Sequence, residues 1–418
     1  MRWLGEYIRA LDPGLPRLVW VLQLGVYVNF FGNGLVAPFL VLYLHFGRGL
    51  PIGIAAAAIA SGGITAITSG FVAGWAVDRV GPKRILVFAM TSNAVAYALY
   101  LFVREPWQAV AVGMLVGVGT GAYGPSSQSL LSALVPPETR HRAFAQNRLS
   151  SLVGLGTGGL VGGFIAAGGR PSDYEFLLSV DVVTFLAFAL VLSALAASPR
   201  GLGRAMGGTY LDVLRDRSLL ALAAVNLALV TAGIAPVLVL VPAYLKVHAT
   251  MPEYAIGAIY ALNTLTVLAA QNPLARIAEG RRRMPLLATG TVFWLIAWSL
   301  FFVAGAWLTD IAAAVCAAFA IVLYGLGESL YALVVTPTVA ALAPDALRGR
   351  YLAVLGLSWQ GGFMLGPVIG GQLVTLPAAA LPMFCILTIS IGAFASLRLD
   401  RVLPEQHRAT PRAKKLAA

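Results

Sequence analysis

The chain has 418 residues, of which 59% are hydrophobic and 11% are charged, and its formal net charge is +12. Its mean hydropathy is +0.83, and its apolar runs reach about 20 residues, the length at which a helix crosses a hydrocarbon core. This composition excludes a soluble protein with a polar surface. Because every backbone group in lipid must be bonded internally, the runs are predicted to be helices.

The apolar runs predict an all-α membrane protein with twelve spans. In chain order they lie at residues 18–44, 51–77, 85–103, 108–134, 144–167, 174–197, 219–245, 254–277, 284–307, 310–342, 351–375 and 378–398. The first run is too long for a cleavable signal peptide and lacks a small-residue cleavage pattern, so it is predicted to stay as the first helix.

The basic residues predict the orientation of these spans. Of the 29 Lys and Arg residues, 25 fall on one side of the predicted membrane, and only Arg48, Arg104, Arg170 and Lys246 fall on the other. The positive-inside rule places the basic side and both termini in the cytoplasm. Basic segments beside anionic lipid headgroups account for the net charge, so no nucleic-acid partner is expected.

Three segments lie outside the spans. Residues 1–17 carry apolar side chains at helical spacing, which predicts an amphipathic helix on the membrane surface. Residues 198–218 form a linker rich in Gly and Arg, in which TYLDVLRD is either a short interfacial helix or plain linker. Residues 399–418 form a basic tail.

The second half of the chain repeats the first at an offset of 208 residues. This offset pairs Arg142 with Arg350, and it pairs the glycines of spans five and eleven. The repeat predicts two pseudo-symmetric bundles of six helices, residues 18–197 and 219–398. Two related bundles suggest that a substrate binds between the halves near mid-membrane, with access alternating between the two sides.

Catalytic and metal-binding clusters are absent from the sequence pattern. Cys316 and Cys385 both lie inside spans, and no histidine lies at a span centre. We therefore expect no enzyme activity, metal or cofactor.

Charge is concentrated in the segment GWAVDRVGPKR between spans two and three. The positions that carry the pattern are Gly74, Asp78, Arg79, Gly81, Lys83 and Arg84. The segment resembles the loop signature of the major facilitator superfamily, with Pro82 where that family usually has a basic residue. The resemblance implies a membrane transporter built from two six-helix bundles.

Asp78 is the residue in this segment that a simple basic anchor would not need. Its carboxylate suits a helix N-terminus or an arginine partner, and the candidates are Arg142 and the start of span eleven near Arg350. Such a latch is predicted to hold the cytoplasmic ends of the halves together in the outward-open state. The alternative is that these charges only anchor the loop in the cytoplasm.

Spans five and eleven carry glycine-rich segments that allow close helix packing. Their positions are Gly154, Gly158, Gly162 and Gly163 in span five, and Gly362, Gly366, Pro367, Gly370 and Gly371 in span eleven. The pattern resembles the antiporter motif of the drug–proton antiporter branch, in which the full form with proline lies in span five. Here the full form lies in span eleven, and Gly113 stands where the branch has an arginine. Helix packing without a role in transport direction is the alternative.

Acidic residues are scarce within the spans. Of the 17 in the chain, only Glu328 and Asp181 fall well inside a predicted span. A carboxyl group inside a membrane can bind and release a proton during transport. Glu328 is the candidate for proton coupling and for attracting a cationic substrate, and Asp181 is its rival, with a structural hydrogen bond as the alternative role.

Polar and aromatic residues inside the spans are candidates for a substrate cavity. They are Asn29, Asn33, Tyr123, Gln128, Asn226, Tyr331, Trp359 and Gln360. Amide and aromatic groups in an apolar cavity suit lipophilic, often cationic, molecules. No Arg or Lys is expected at mid-span, since Arg148 is placed nearer the cytoplasmic face, and this favours neutral or cationic compounds.

Together these features predict a cell-membrane transporter that exports lipophilic drugs in exchange for protons. Its partners would be protons, membrane lipids and a small lipophilic substrate, and it would act as a monomer driven by the proton gradient. An importer, or a carrier for one metabolite or lipid, is the alternative on the same fold. A lipid-modifying enzyme is a third class, for which the sequence offers no catalytic cluster.

Overall fold

The computed structural model describes residues 15–136, 139–194, 213–344 and 347–410. The predicted amphipathic helix, the middle of the linker and the end of the basic tail lie outside the described residues. Within the described ranges the secondary structure is helical, apart from one isolated antiparallel bridge between Arg282 and Ala409.

A helix occupies each of the predicted spans. The helices are α1 (Arg17–Val36), α2 (Ile52–Val80), α3 (Pro82–Tyr100), α4 (Pro106–Leu134), α5 (Arg140–Ile165), α6 (Pro171–Ala194), α7 (Arg217–Leu229), α8 (Glu253–Ala278), α9 (Arg283–Trp307), α10 (Asp310–Leu342), α11 (Arg348–Leu373) and α12 (Ala380–Val402). Ten helices in the described part of the chain are long and apolar enough to cross a membrane, and α3 and α4 are not among them. These helices indicate multiple membrane crossings, and the number twelve stays a prediction.

Two predicted spans are interrupted rather than continuous. After α1, the chain continues as a short turn of helix, Leu40–Leu42, and a π-helical segment, Tyr43–Gly47. After α7 it continues as a π-helical segment, Val230–Ile234, and two short helices that each have a proline in the first turn. Proline has no N–H for the helical hydrogen bond, and this explains why the regular ladder breaks at these places.

The helices pack in a pattern that occurs once in each half of the chain. In the first half α1 packs on α5 and α6, α2 packs on α4, and α3 packs on α4 and α6. In the second half the α7 segments pack on α11 and α12, α8 packs on α10, and α9 packs on α10 and α12. Contacts between the halves run mainly through two pairs, α2 with α11 and α5 with α8.

The two ends of the helices differ in charge. We call the end that carries residues 79–84, 140–148, 276–283 and 348–350 the basic end, and the other the opposite end. The loop between α2 and α3 at the basic end is only Gly81, whose φ of 99° is a region that a Cβ atom disfavours. Asp78 therefore lies in the last turn of α2, and Lys83 lies in the first turn of α3.

The last described residues are attached to the loop between α8 and α9. The backbone N–H of Thr410 donates to the carbonyl of Arg281 at 2.9 Å, and Nε of Arg283 donates to the carbonyl of Ala409 at 3.2 Å. Arg282 forms an ion pair with Asp400 of α12 at 2.6 Å. Arg281, Arg282 and Arg283 therefore make these contacts within the second half of the chain, to α12 and to the segment that follows it.

Candidate functional site

Two joined cavities lie between the halves and extend toward the basic end. The first, of about 620 Å³, is lined by α4, α5, α8, α10 and α11 and by Ile234 of the π-helical segment after α7. The second, of about 730 Å³, is lined by α2, α4 and α11. Gln128, Gly356 and Trp359 line both cavities, so the two form one continuous space.

The opposite end of this space is closed by direct helix contacts. A Cβ atom at Gly371 of α11 would overlap Ala56 of α2, and one at Gly163 of α5 would lie 2.8 Å from the Cα of Gly257 of α8. Only glycine allows these two helix pairs to approach so closely.

A polar cluster reinforces this closure between the halves. Glu253, at the start of α8, is 2% exposed and forms an ion pair with Lys246 at 2.9 Å. The hydroxyl of Tyr174, on α6 in the first half, donates to the same carboxylate oxygen at 2.9 Å. Sequence reasoning missed this cluster because it placed these residues at span ends, where polar side chains usually only face water.

Among the residues that the structure describes, the basic end is open. Gly74 on α2 and Gly349 and Gly356 on α11 lie where an added Cβ would meet no described atom within 4 Å. Asp78 is exposed, and within the described ranges its side chain makes no ion pair. The neighbouring Arg79 lies over the ring of Trp75, 4.1 Å from its centroid.

The predicted latch partners are therefore not in contact with Asp78 in this conformation. Arg142 is exposed at the start of α5, and Arg350 is half-buried at the start of α11. The remaining signature residues are placed together around the α2–α3 junction, where Nζ of Lys83 donates to the carbonyl of Ser193 at 2.9 Å. Arg84 follows in the first turn of α3.

Glu328 lies on the wall of the first cavity. It is half-buried, and its Oε2 accepts a hydrogen bond of 3.2 Å from Nδ2 of Asn263 on α8. The walls around it are mainly apolar, and include Val267, Leu352 and Leu355. This is a carboxylate with one amide donor on the surface of a space open at one end.

Arg148 lines the same cavity, and its predicted place nearer the cytoplasmic face than mid-span stays a prediction. It lies eight residues inside α5, about 12 Å along the helix axis at the standard rise. Its positive charge lines the same cavity as the carboxylate of Glu328. Gln271 on α8 also lines the cavity and was missed; its spacing of eight residues from Asn263 puts both on one helix face.

Asp181 occupies a different environment. It is 0% exposed, and Oγ1 of Thr184 donates to its Oδ1 at 3.0 Å. The side chain faces Gly32 of α1, and Asp181 is absent from the lining of both cavities in the described part of the chain. Its surroundings are the packed helices of the first half.

Some of the predicted aromatic and amide residues line the cavities, and another lies behind them and orients a lining residue. Gln128, Trp359 and Gln360 line the cavities, as does Tyr331. Asn226 is wholly buried behind this wall, where it accepts a hydrogen bond from the Tyr331 hydroxyl and donates one of 2.7 Å to Ser358. Asn226 therefore orients Tyr331 rather than facing the cavity.

Three further candidates lie elsewhere. Asn29 is buried, and its backbone carbonyl accepts a hydrogen bond of 3.1 Å from Nδ2 of Asn33. Tyr123 packs against Phe30, with ring centroids 6.0 Å apart. None of the three is among the described residues that line the two cavities.

The glycine-rich segments make close helix contacts. In α5, Gly154, Gly158 and Gly162 face α1, and Gly163 faces α8. In α11, Gly362 and Gly366 face the π-helical segment after α7, Gly370 faces Leu240, and Gly371 faces α2. Pro367 lies within α11 without ending it. The two segments thus bring helices together both within and between the halves.

Comparison with known proteins shows the family. The sequence model of the Major Facilitator Superfamily matches residues 22–321 and 220–418. The Na(+), Li(+), K(+)/H(+) antiporter of Planococcus maritimus is 24% identical over 404 residues, which cover 87% of this chain and 89% of that protein. Multidrug resistance protein MdtG of Dickeya zeae (strain Ech586) is 32% identical over 192 residues, 45% of this chain and 46% of that protein.

The fold is also that of solved transporters. The crystal structure of a mutant of the nucleoside transporter NupG superposes with a TM-score of 0.75 at 15% identity, and the match covers 92% of this chain and 100% of that one. The multidrug and antiporter relatives fit the predicted resemblance to the drug–proton antiporter branch. The family match, the fold and the membrane helices agree, and the chain belongs to the Major Facilitator Superfamily as a multi-pass membrane transporter rather than an enzyme.

Proposed function

We propose that this transporter exports lipophilic compounds from the cell in exchange for protons. The observation that carries the proposal is Glu328, a half-buried carboxylate on the wall of a largely apolar cavity between the halves. A proton and a cationic substrate group that compete for one carboxylate give antiport directly, because each releases the other. The multidrug relative supports the substrate class.

The proposed location is a bacterial inner or plasma membrane, and the proposed orientation places the basic end on its cytoplasmic side. On this orientation the described conformation is inward-open. We propose that residues 18–197 and 219–398 rock against each other as two bundles, so that the cavity alternates between the two sides. The protein acts as a monomer and uses the proton gradient without a cofactor.

The test uses the purified full chain in liposomes with an imposed pH gradient. Ethidium is the probe, and internal pH and dye are followed together. We expect dye movement with a counter-flow of protons, and neither in empty liposomes. Dye movement that is independent of the gradient would overturn proton coupling, and absence of both movements would shift the proposal to a carrier for one metabolite.

Alkali-cation exchange is a second candidate, favoured by one observation. Oδ1 of Asn263 is buried without a hydrogen-bond partner among the described residues, beside the carboxylate of Glu328. Amide and carboxylate oxygens are ligands that hard cations accept, and one relative is named as an alkali cation/proton antiporter. The same liposomes, given Na⁺ or K⁺ instead of dye, distinguish the two: proton release on cation addition supports exchange.

A further inference from the structure

The first cavity has one positive and one negative side chain, supplied by different halves. Arg148 comes from α5 in the first half and Glu328 from α10 in the second. Among the described residues that line the two cavities, these two carry the only charges. The ion pairs of the described chain include none between them, so their charged atoms are more than 4.0 Å apart.

Because the two charges are separated, ligands of different charge should bind the cavity with different affinities. Arg148 is exposed to this space. A compound with one cationic group can pair with Glu328, but it brings a like charge toward Arg148 and offers that side chain no counter-charge. A neutral compound desolvates both side chains and pairs with neither. A compound that carries an anionic and a cationic group satisfies both side chains and adds no net charge to the cavity.

The rest of the cavity fits the body of such a compound. Leu352, Leu355 and Trp359 supply apolar and aromatic surface, and Gln128 and Gln271 supply amide groups. The volume of about 620 Å³ lies within the range of sites for drug-sized ligands.

We infer that the cavity selects lipophilic zwitterions, with Arg148 binding the anionic group and Glu328 the cationic group. The inference rests on the proposed function in one respect, that the substrate binds in this cavity. It assigns Arg148 as a specificity-determining residue.

A matched dye pair tests the inference by equilibrium binding, measured as fluorescence anisotropy with the purified full chain in detergent. Tetramethylrhodamine carries a free carboxylate and a cationic ring system, and its methyl ester carries only the cation. We expect the chain to bind the carboxylate dye about tenfold more tightly than the ester, because only the carboxylate can pair with Arg148 by a charge-assisted hydrogen bond. Arg148→Gln should remove this preference: it should weaken binding of the carboxylate dye and should not weaken binding of the ester.

Two further variants separate charge recognition from structural damage. Arg148→Lys should keep most of the preference because it keeps the charge. Arg276→Gln changes an exposed arginine of α8 outside both cavities and should bind both dyes like the unmodified chain. Glu328→Gln should weaken both dyes, since both carry the cation.

The inference is overturned if the unmodified chain does not bind the carboxylate dye or binds the ester equally well. It is also overturned if Arg148→Gln weakens binding of both dyes equally. The proposed function is tested separately. If the dyes bind with the expected preference but no proton-coupled movement occurs in liposomes, the proposal of antiport is excluded and the inference about binding stands. Proton-coupled ethidium export without the dye preference would do the reverse.

Discussion

At the scale of single residues, two acidic side chains inside membrane helices have opposite surroundings. Glu328 is half-buried on a cavity wall and accepts one hydrogen bond from Asn263. Asp181 is wholly buried among helices of the first half and is bonded by Thr184. Only the first can exchange a proton with a space open to one side of the membrane in this conformation.

Replacement of Glu328 by glutamine should abolish proton-coupled dye export. The amide keeps the shape of the side chain and can still accept from Asn263, but it cannot bind a proton. We expect the coupled rate in liposomes to fall by at least about tenfold. Glu279→Gln, at an exposed acid between α8 and α9, is the control, and an unchanged rate in Glu328→Gln would exclude this residue as the coupling site.

Replacement of Asp181 by asparagine should leave coupling intact. The amide oxygen can still accept from Thr184, so we expect export within about twofold of the original and a stability loss of about 1 kcal/mol. Thermal unfolding and liposome transport of the same preparation measure the two effects. Loss of proton movement with normal folding would show that Asp181 is part of the proton path.

Sequence reasoning identified these residues unequally, for physical reasons. Glu328 was found because a carboxylate stands out in an apolar run. Arg148 was not proposed as a cavity residue, because depth along a helix does not tell where a long side chain ends. Asn29 and Asn33 do share a helix face, as their spacing predicted. The spacing does not tell which face of the helix meets the cavity, because that depends on how the helices pack.

At the scale of helices, the lengths of the apolar runs predicted where the helices lie. They did not predict the places where an α-helix gives way to a π-helical segment. The interruptions after α1 and α7 were not predicted, although Pro236 and Pro242 mark the second of them. The contacts at the opposite end depend on pairs of helices from different halves. Tyr174 of the first half reaches the Lys246–Glu253 pair of the second half at the end where α5 and α8 pack closely.

The double variant Glu253→Gln and Tyr174→Phe should weaken closure of the opposite end. It removes the ion pair with Lys246 and the buried hydroxyl donor, and we expect the balance of conformations to shift by about tenfold, or 1.4 kcal/mol, toward opening there. Double electron–electron resonance between labels at Glu105 and Thr309, both exposed at that end, measures it. Cys316 and Cys385 are replaced beforehand.

A matched variant tests whether the effect is local. Arg104→Gln changes a charge at the same end that has no ion pair among the described residues, and it should leave the distances unchanged. Equal distance distributions in the double variant and the original would show that the cluster does not hold this end closed.

At the scale of the whole molecule, glycine surroundings report which end is shut. Gly371 and Gly163 are crowded at the opposite end, whereas at the basic end a Cβ at Gly74, Gly349 or Gly356 would meet no described atom within 4 Å. The repeat in the sequence predicted two related halves, but the described conformation follows from contacts between them. The predicted latch at Asp78 would form in the conformation in which the basic end is shut.

Asp78→Asn should therefore favour the conformation described above and slow turnover. Without the carboxylate the shut basic end loses its contact, while the open one loses nothing, since Asp78 is exposed without an ion pair in the described chain. We expect roughly threefold slower export, a loss of under 1 kcal/mol as for exposed pairs. Labels at Ala145 and Glu279, on different halves, should show fewer short distances, and an unchanged distribution argues for a simple loop anchor.

The attachment of the tail segment has a practical consequence for handling this protein. The hydroxyl of Thr410 donates to the carbonyl of Ala278, 132 positions earlier, and the backbone of Ala409 binds Arg283. A reporter fused directly after Val402 would delete these bonds and loosen the connection between α8 and α9. A reporter joined beyond Thr410 would leave that corner as rigid as it is here.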